Sequence, residues 1–143
     1  MPGKWSLLLV LALLTIMGCR LVQSIGSTPQ APSPLEPIPG EANLSKGEVS
    51  ITSQELLVKE SYPLQVSLVI QGTLPTPCHK LRVEVSEPDE QNRIAVEAFS
   101  LFDPAENCIQ VLQSFEENVP LGSYPDGTYT VILNGEEVGE FTQ

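Results

Sequence analysis

From Leu64 onwards the chain alternates, and that alternation restricts its fold more than any other feature. Leu64, Val66, Leu68 and Ile70 are separated by Gln65, Ser67 and Val69; Leu81, Val83 and Val85 are separated by Arg82 and Glu84. Successive strand side chains point to opposite faces, so a period of two specifies strands with one buried and one exposed side. Helical spacing surfaces only weakly at Gln54–Glu60 and is not counted. The region therefore belongs to an all-β architecture.

The punctuation between the runs agrees. Pro88-Asp89-Glu90-Gln91-Asn92 is a polar turn, after which Ile94, Val96 and Ala98 begin a return strand. Phe99, Leu101 and Phe102 break its alternation, so its far end is expected to be bulged or buried on both sides. Asp103–Asn107 is a further loop, and Ile109, Val111 and Phe115 predict a less regular strand ending near Val119. Tyr129, Val131 and Leu133 then alternate with Thr128, Thr130 and Ile132. Asn134-Gly135 is a preferred hairpin turn, because both residues tolerate positive φ. Glu136–Thr142 is the last strand, with Gly139 as a bulge site. With a short first strand at Val49–Thr52, about seven strands are expected between Glu48 and Gln143.

Seven short strands with frequent turns predict an immunoglobulin-like antiparallel β-sandwich, with a closed β-barrel as the structural alternative. Asp126-Gly127-Thr128-Tyr129 resembles the tyrosine corner of immunoglobulin-like folds, in which a Tyr early in the penultimate strand bonds back to the backbone. The likeness stops short of antibody domains: the one Trp is Trp5, and Cys78 and Cys108 are not spaced like the antibody bridge.

The leader carries a different kind of information. Lys4 and the amino terminus are positive, and Leu7–Met17 is an apolar run of 11 residues in which Thr15 alone is polar. A spanning helix needs about 20 such residues, so the run reads as a signal peptide over 1–18. Ile16-Met17-Gly18-Cys19 resembles the lipobox of bacterial lipoproteins: a branched apolar residue, a variable one, Gly or Ala, then Cys. That resemblance implies cleavage before Cys19 and a diacylglyceryl group on its sulfur. Two acyl chains hold stably where one is marginal, since each buried methylene contributes about 0.8 kcal/mol. Arg20, rather than Asp, follows the Cys, which resembles lipoproteins sent to the outer membrane of diderm bacteria; in a monoderm the outer face of the cell membrane is implied.

Prolines at 29, 32, 34, 37 and 39 then make residues 19–47 read as an extended, disordered tether that presents a domain spanning 48–143. The wider pattern, Gly72-x-Leu74-Pro75-x-x-Cys78 with a second Cys and a final Gly-Thr-Tyr-Thr-Val hairpin, is similar to small bacterial envelope lipoprotein domains. No particular activity follows from that similarity.

Chemistry is sparse. Once Cys19 is acylated, Cys78 and Cys108 form an even pair in an oxidising compartment, which predicts a disulfide; a reactive thiol or metal pair is the alternative. His79 is the sole histidine and lacks partners at ligand spacing, so it reads as a solvated loop residue. The acidic turns Asp89-Glu90 and Asp103–Glu106 lack the alternating oxygens of a Ca²⁺ loop. No Ser-His-Asp order, phosphate loop or HExxH is present, so no catalytic residue, cofactor or metal is expected. With 18 Asp and Glu against 7 Lys and Arg, binding of nucleic acid through a basic patch is disfavoured. The expected role is a non-enzymatic interaction module at the cell envelope, attached to the membrane through its lipid and directed at a protein partner. The alternative is inhibition of an envelope protease through an exposed loop such as Gly122–Gly127.

Overall fold

The computed structural model describes residues 33–143. Among these residues eight strands fold into two packed sheets: β1 (Ser45–Gly47), β2 (Ser50–Lys59), β3 (Gln65–Leu74), β4 (Lys80–Val85), β5 (Arg93–Phe102), β6 (Gln113–Gly122), β7 (Thr128–Leu133) and β8 (Glu136–Thr142). A β-sandwich is thus the architecture, as the alternation predicts. The signal peptide, Cys19 and the first part of the expected tether lie outside the described residues.

The smaller sheet is β2-β3-β6, antiparallel throughout. The larger is built around β5. On one edge β5 pairs with β4 from Val96 to Leu101; on the other it pairs with β7 over Arg93–Val96 and then with β1 over Ser100–Phe102. β8 completes this sheet beside β7. Between the sheets the inward faces interlock. Val66, Leu68 and Ile70 of β3 and Val119 and Leu121 of β6 meet Val83, Ile94, Val96, Val131, Leu133 and Phe141 of the other sheet.

Two sequence expectations change here. The immunoglobulin order places the fourth of seven strands in the sheet opposite the third and sixth. Here β5 lies between β4 and β7, and its pairing with β7 is parallel. The short Pro88–Asn92 turn makes β5 the hairpin neighbour of β4. The chain then crosses to the other sheet as β6 and returns as β7, which supplies the crossover that a parallel pair requires.

The second change concerns the amino-terminal side. The domain begins near residue 33, not 48, and Ser33–Gly47 is not a free tether. The Pro34 carbonyl accepts a hydrogen bond from the Val83 amide at the outer edge of β4 (2.8 Å), while β1 pairs with the far edge of β5. The chain between them therefore crosses the sheet as a strap, with a 3₁₀ turn at Glu41–Asn43. It crosses the outer face, because Val83 points into the core and Arg82, its neighbour, points out to Glu41. Arg82 is only 7 % exposed, and the outward residues Phe99 and Leu101 are also buried. That is why β5 loses its alternation: its far end is covered on both sides.

β2 also runs further than Val49–Thr52, through the segment that carries weak helical spacing. The register shifts between Ile51 and Ser53, leaving Thr52 as an extra residue. Ile51, Gln54, Leu56 and Val58 all pair with core-facing residues of β3, so the inward set is spaced three, two, two. A single bulge makes a strand imitate the start of a helix. Across from Ile51, Gly72 has no room for a side chain: a Cβ there would lie 2.2 Å from the Ser50 carbonyl oxygen and 2.7 Å from the Phe115 ring.

The final hairpin follows the sequence closely. Asn134 (φ 49°) and Gly135 (φ 87°) form the turn, and a bulge at Val138 lies beside the predicted Gly139. The tyrosine corner is also present. Tyr129 is buried, its hydroxyl donates to the Pro125 carbonyl at 3.0 Å, and its ring packs on Tyr124 and Phe141. Tyr129→Phe keeps the ring and strands that acceptor, so it is expected to cost about 1 kcal/mol. Urea denaturation checks this, and an unchanged midpoint would show that the bond contributes nothing to stability.

Candidate functional site

The residues singled out for chemistry gather at one end of the sandwich. β3 finishes there at Leu74 and β6 begins there at Gln113, directly opposite it. The loops 75–79 and 103–112 leave from this end, and Cys78 and Cys108 join them with a Cα–Cα distance of 6.0 Å. The bridge expected from the even cysteine pair is therefore formed, and neither sulfur is left as a nucleophile or metal ligand.

His79 is a packing residue in this end cap. Its ring stacks on Phe102 with centroids 4.6 Å apart. Its Nδ1 lies 2.8 Å from the hydroxyl of Thr76, which is itself buried, and its amide donates to the Thr76 carbonyl. The ring is thus half-buried rather than solvated, a difference that arises because β5 brings Phe102 underneath it.

The acidic loops are engaged in their own turns. One Asp103 carboxylate oxygen accepts from the Ala105 amide at 2.8 Å. Asp89 accepts from the amides of Gln91 and Arg93 and pairs with the Arg93 guanidinium at 2.7 Å, which holds its carboxyl below the usual range. Among the described residues, no group of three or more His, Cys, Asp or Glu side chains is placed to hold a metal ion.

Three apolar side chains project from this end beside exposed polar ones. Ile109 is 69 % exposed, Val111 55 % and Leu112 68 %. The expected strand over Ile109–Val119 starts later, at Gln113, because β3 has no residue beyond Leu74 for the earlier positions to pair with. From Asn107 to Leu112 the main chain makes one backbone hydrogen bond, the Val111 amide to the Ile109 carbonyl at 3.1 Å. Sequence reasoning reads Ile109 and Val111 as residues of a less regular strand; their apolarity alone does not reveal that they protrude.

Gly122–Gly127, at the other end, is held closely. The Tyr124 hydroxyl donates to the Leu121 carbonyl, its ring packs on Tyr129 and Phe141, and burial raises its phenol above the usual value. Gly127 exchanges backbone hydrogen bonds with Gln143. Tyr124 and Gly127 are half-buried, while Gly122, Ser123, Pro125 and Asp126 are exposed.

The larger sheet has one interruption, in the edge of β5 between its partners β7 and β1. Asn134 fills it. Its side-chain carbonyl accepts from the Ala98 amide at 2.8 Å and its side-chain amide donates to the Ala98 carbonyl at 3.0 Å, as a strand residue would. A shallow groove lies over this point, bordered by Lys46, Phe99, Asn134 and Gly135. Lys46 is occupied there by Glu97 and by the face of Phe99, 3.9 Å from the ring centroid.

Residues 68–143, from the middle of β3 to the carboxyl end, match the family model of the ORF11 beta-sandwich domain. Neither a curated protein nor a solved structure matches the chain. The match takes in both halves of the core, the disulfide, the tyrosine corner and the closing hairpin, and on that basis the chain belongs to the ORF11 beta-sandwich domain family.

Proposed function

We propose that this protein is a lipid-anchored component of a bacterial cell envelope, facing away from the cytoplasm, whose sandwich serves as a binding module rather than an enzyme. The observation that carries this reading is the agreement of two independent features. The Ile16–Cys19 lipobox asks for export, and the Cys78–Cys108 bridge, some sixty residues later, suits an oxidising compartment. The chemistry available supports binding: His79 is used in packing and both cysteines in the bridge, and the groups exposed beside them include main chain, the apolar side chains of Ile109, Val111 and Leu112, and the carboxylates of Asp103 and Glu106.

With Ser33 onwards packed on the sheet, the span between Cys19 and the domain on this reading is Arg20–Pro32, 13 residues. Inhibition of an envelope protease through Gly122–Gly127 draws less support, because that loop is tucked against the body by Tyr124.

Replacing Cys19 with Ser tests the anchor. The wild-type chain, expressed in a bacterial host with labelled palmitate, is expected to take up label and to sediment with membranes. Cys19→Ser is expected to lose the label and move to the soluble fraction, since the two acyl chains supply the attachment. A wild-type chain that takes up no label would overturn the lipoprotein reading.

A further inference from the structure

The edge of β6 is guarded by its own residues, whereas the segment leading into it is open. Glu117 pairs with Ile70, a core residue, so its carboxylate points inward at the sheet margin, and burial raises its pKa. Pro120 has no N–H to offer. An inward charge and a proline are two devices that keep a sheet edge from accepting another strand. Neither occurs from Cys108 to Phe115. There the disulfide fixes one end, Phe115 packs inward above Gly72 and fixes the other, and Ile109, Val111 and Leu112 stand out between them.

We propose that Cys108–Phe115 is a docking edge for an extended, basic segment of another protein, which adds beside it as a strand and buries Ile109, Val111 and Leu112. The proposal rests on the reading of the domain as a binding module. Three considerations select the partner. Apart from the Val111 amide to Ile109 carbonyl bond and the Gln110 side chain on the Cys108 carbonyl, the main chain of 107–112 has no hydrogen bond among the described residues, and an extended peptide supplies partners that a lipid bilayer does not; immersing those groups in hydrocarbon is costly. The surroundings are acidic. Asp103 and Glu106 precede the edge and Glu116 follows it, and residues 94–143 carry nine Asp and Glu with no Lys, Arg or His. Lys80 opens β4 in the other sheet, leaving the approach along β6 negative. The same charges disfavour a second copy of this chain, since two such edges laid together would oppose carboxylates. A segment with Lys or Arg alternating with apolar residues satisfies main chain, apolar tips and charge together.

The test uses the full chain carrying Cys19→Ser, with the disulfide formed, and a displayed library of random peptides as the probe. The comparison protein adds Ile109→Ser, Val111→Ser and Leu112→Ser. These side chains are exposed, so an unchanged melting midpoint and an intact disulfide are expected and confirm that folding is preserved. Selection is expected to enrich extended, Lys- or Arg-containing peptides. Their affinity should fall with rising salt and be at least about tenfold weaker for the triple variant, as for loss of an interface hot spot. Peptides that bind both proteins equally would overturn the docking edge while leaving a binding module elsewhere on the domain. Absence of any enriched peptide would overturn the edge and count against the module. Loop-dependent binding to phosphatidylcholine vesicles, or a loop-dependent dimer in sedimentation, would replace the proposed partner with a membrane or a second copy and would equally overturn it.

Discussion

Opening the Cys78–Cys108 bridge is expected to lower the stability of the domain by about 3–4 kcal/mol. The bridge joins residues 30 apart in sequence, and chain entropy alone assigns roughly that value to a loop of this length. The structure adds a local reason for a large effect. Loops 75–79 and 103–112 have few other ties to each other, and the His79 stack on Phe102 sits beside the bridge. A loss of this size is a substantial share of the roughly 5–15 kcal/mol typical of a whole domain. Equilibrium unfolding in urea, with and without reductant and with the double variant Cys78→Ala and Cys108→Ala, measures it. Loss of less than about 1 kcal/mol would mean that the reduced, unfolded chain is already compact or that native strain offsets the entropy.

Arg82→Ala is expected to be comparably damaging and to release the strap. The guanidinium is a hub on the outer face: Nε donates to Glu41 at 3.2 Å, and Nη1 donates to the carbonyls of Pro34 at 3.0 Å and Val83 at 2.9 Å. The Glu84 carboxylate stands 3.8 Å away at the exposed rim. Truncation leaves the half-buried Glu41 carboxylate and two carbonyls without their donor, and uncovers Phe99 and Leu101. A cost of about 2–4 kcal/mol follows, below the full penalty for a deeply buried pair because Glu41 keeps some contact with water. Hydrogen exchange should rise at Val83, whose amide bonds the strap, before it rises in the core of β3. Arg82→Lys keeps the charge but cannot hold three acceptors in one plane, so it should fall between. Unchanged exchange at Val83 in Arg82→Ala would show that β1 and the apolar contacts hold the strap without Arg82.

These two cases differ in how much of them was legible beforehand. The bridge could be expected from counting cysteines in a chain whose leader reads as an export signal, because pairing is set by compartment and number before geometry enters. The strap could not. Its proline-rich composition predicts extended backbone, and extended it is in part, but composition does not say whether an extended segment meets water or a sheet. The one hint was the failure of alternation at Phe99 and Leu101, a sign that something covers the outer face without naming what.

At the candidate site the same division holds. The apolar run Ile109–Leu112 reads locally as a strand, and it protrudes only because β3 ends opposite Gln113. Asn134 is recognisable as a turn residue from its neighbour Gly135. Its second role, closing the gap in the edge of β5, depends on where β7 stops against Ala98, 36 residues earlier in the chain.

Sequence by itself determined the strands whose alternation is unbroken, the tight turns, the tyrosine corner and the cysteine pair, because each is written in residues next to one another or in a count. Tertiary structure alone decided that β5 stands between β4 and β7, that residues 33–47 cross the outer sheet, and that a bulge at Thr52 turns a helix-like spacing into a strand. The physical reason is common to all three. Which strand lies beside which, and what covers an outer face, is settled by hydrogen bonds and apolar burial between segments far apart in the chain, and these leave no period in the local sequence.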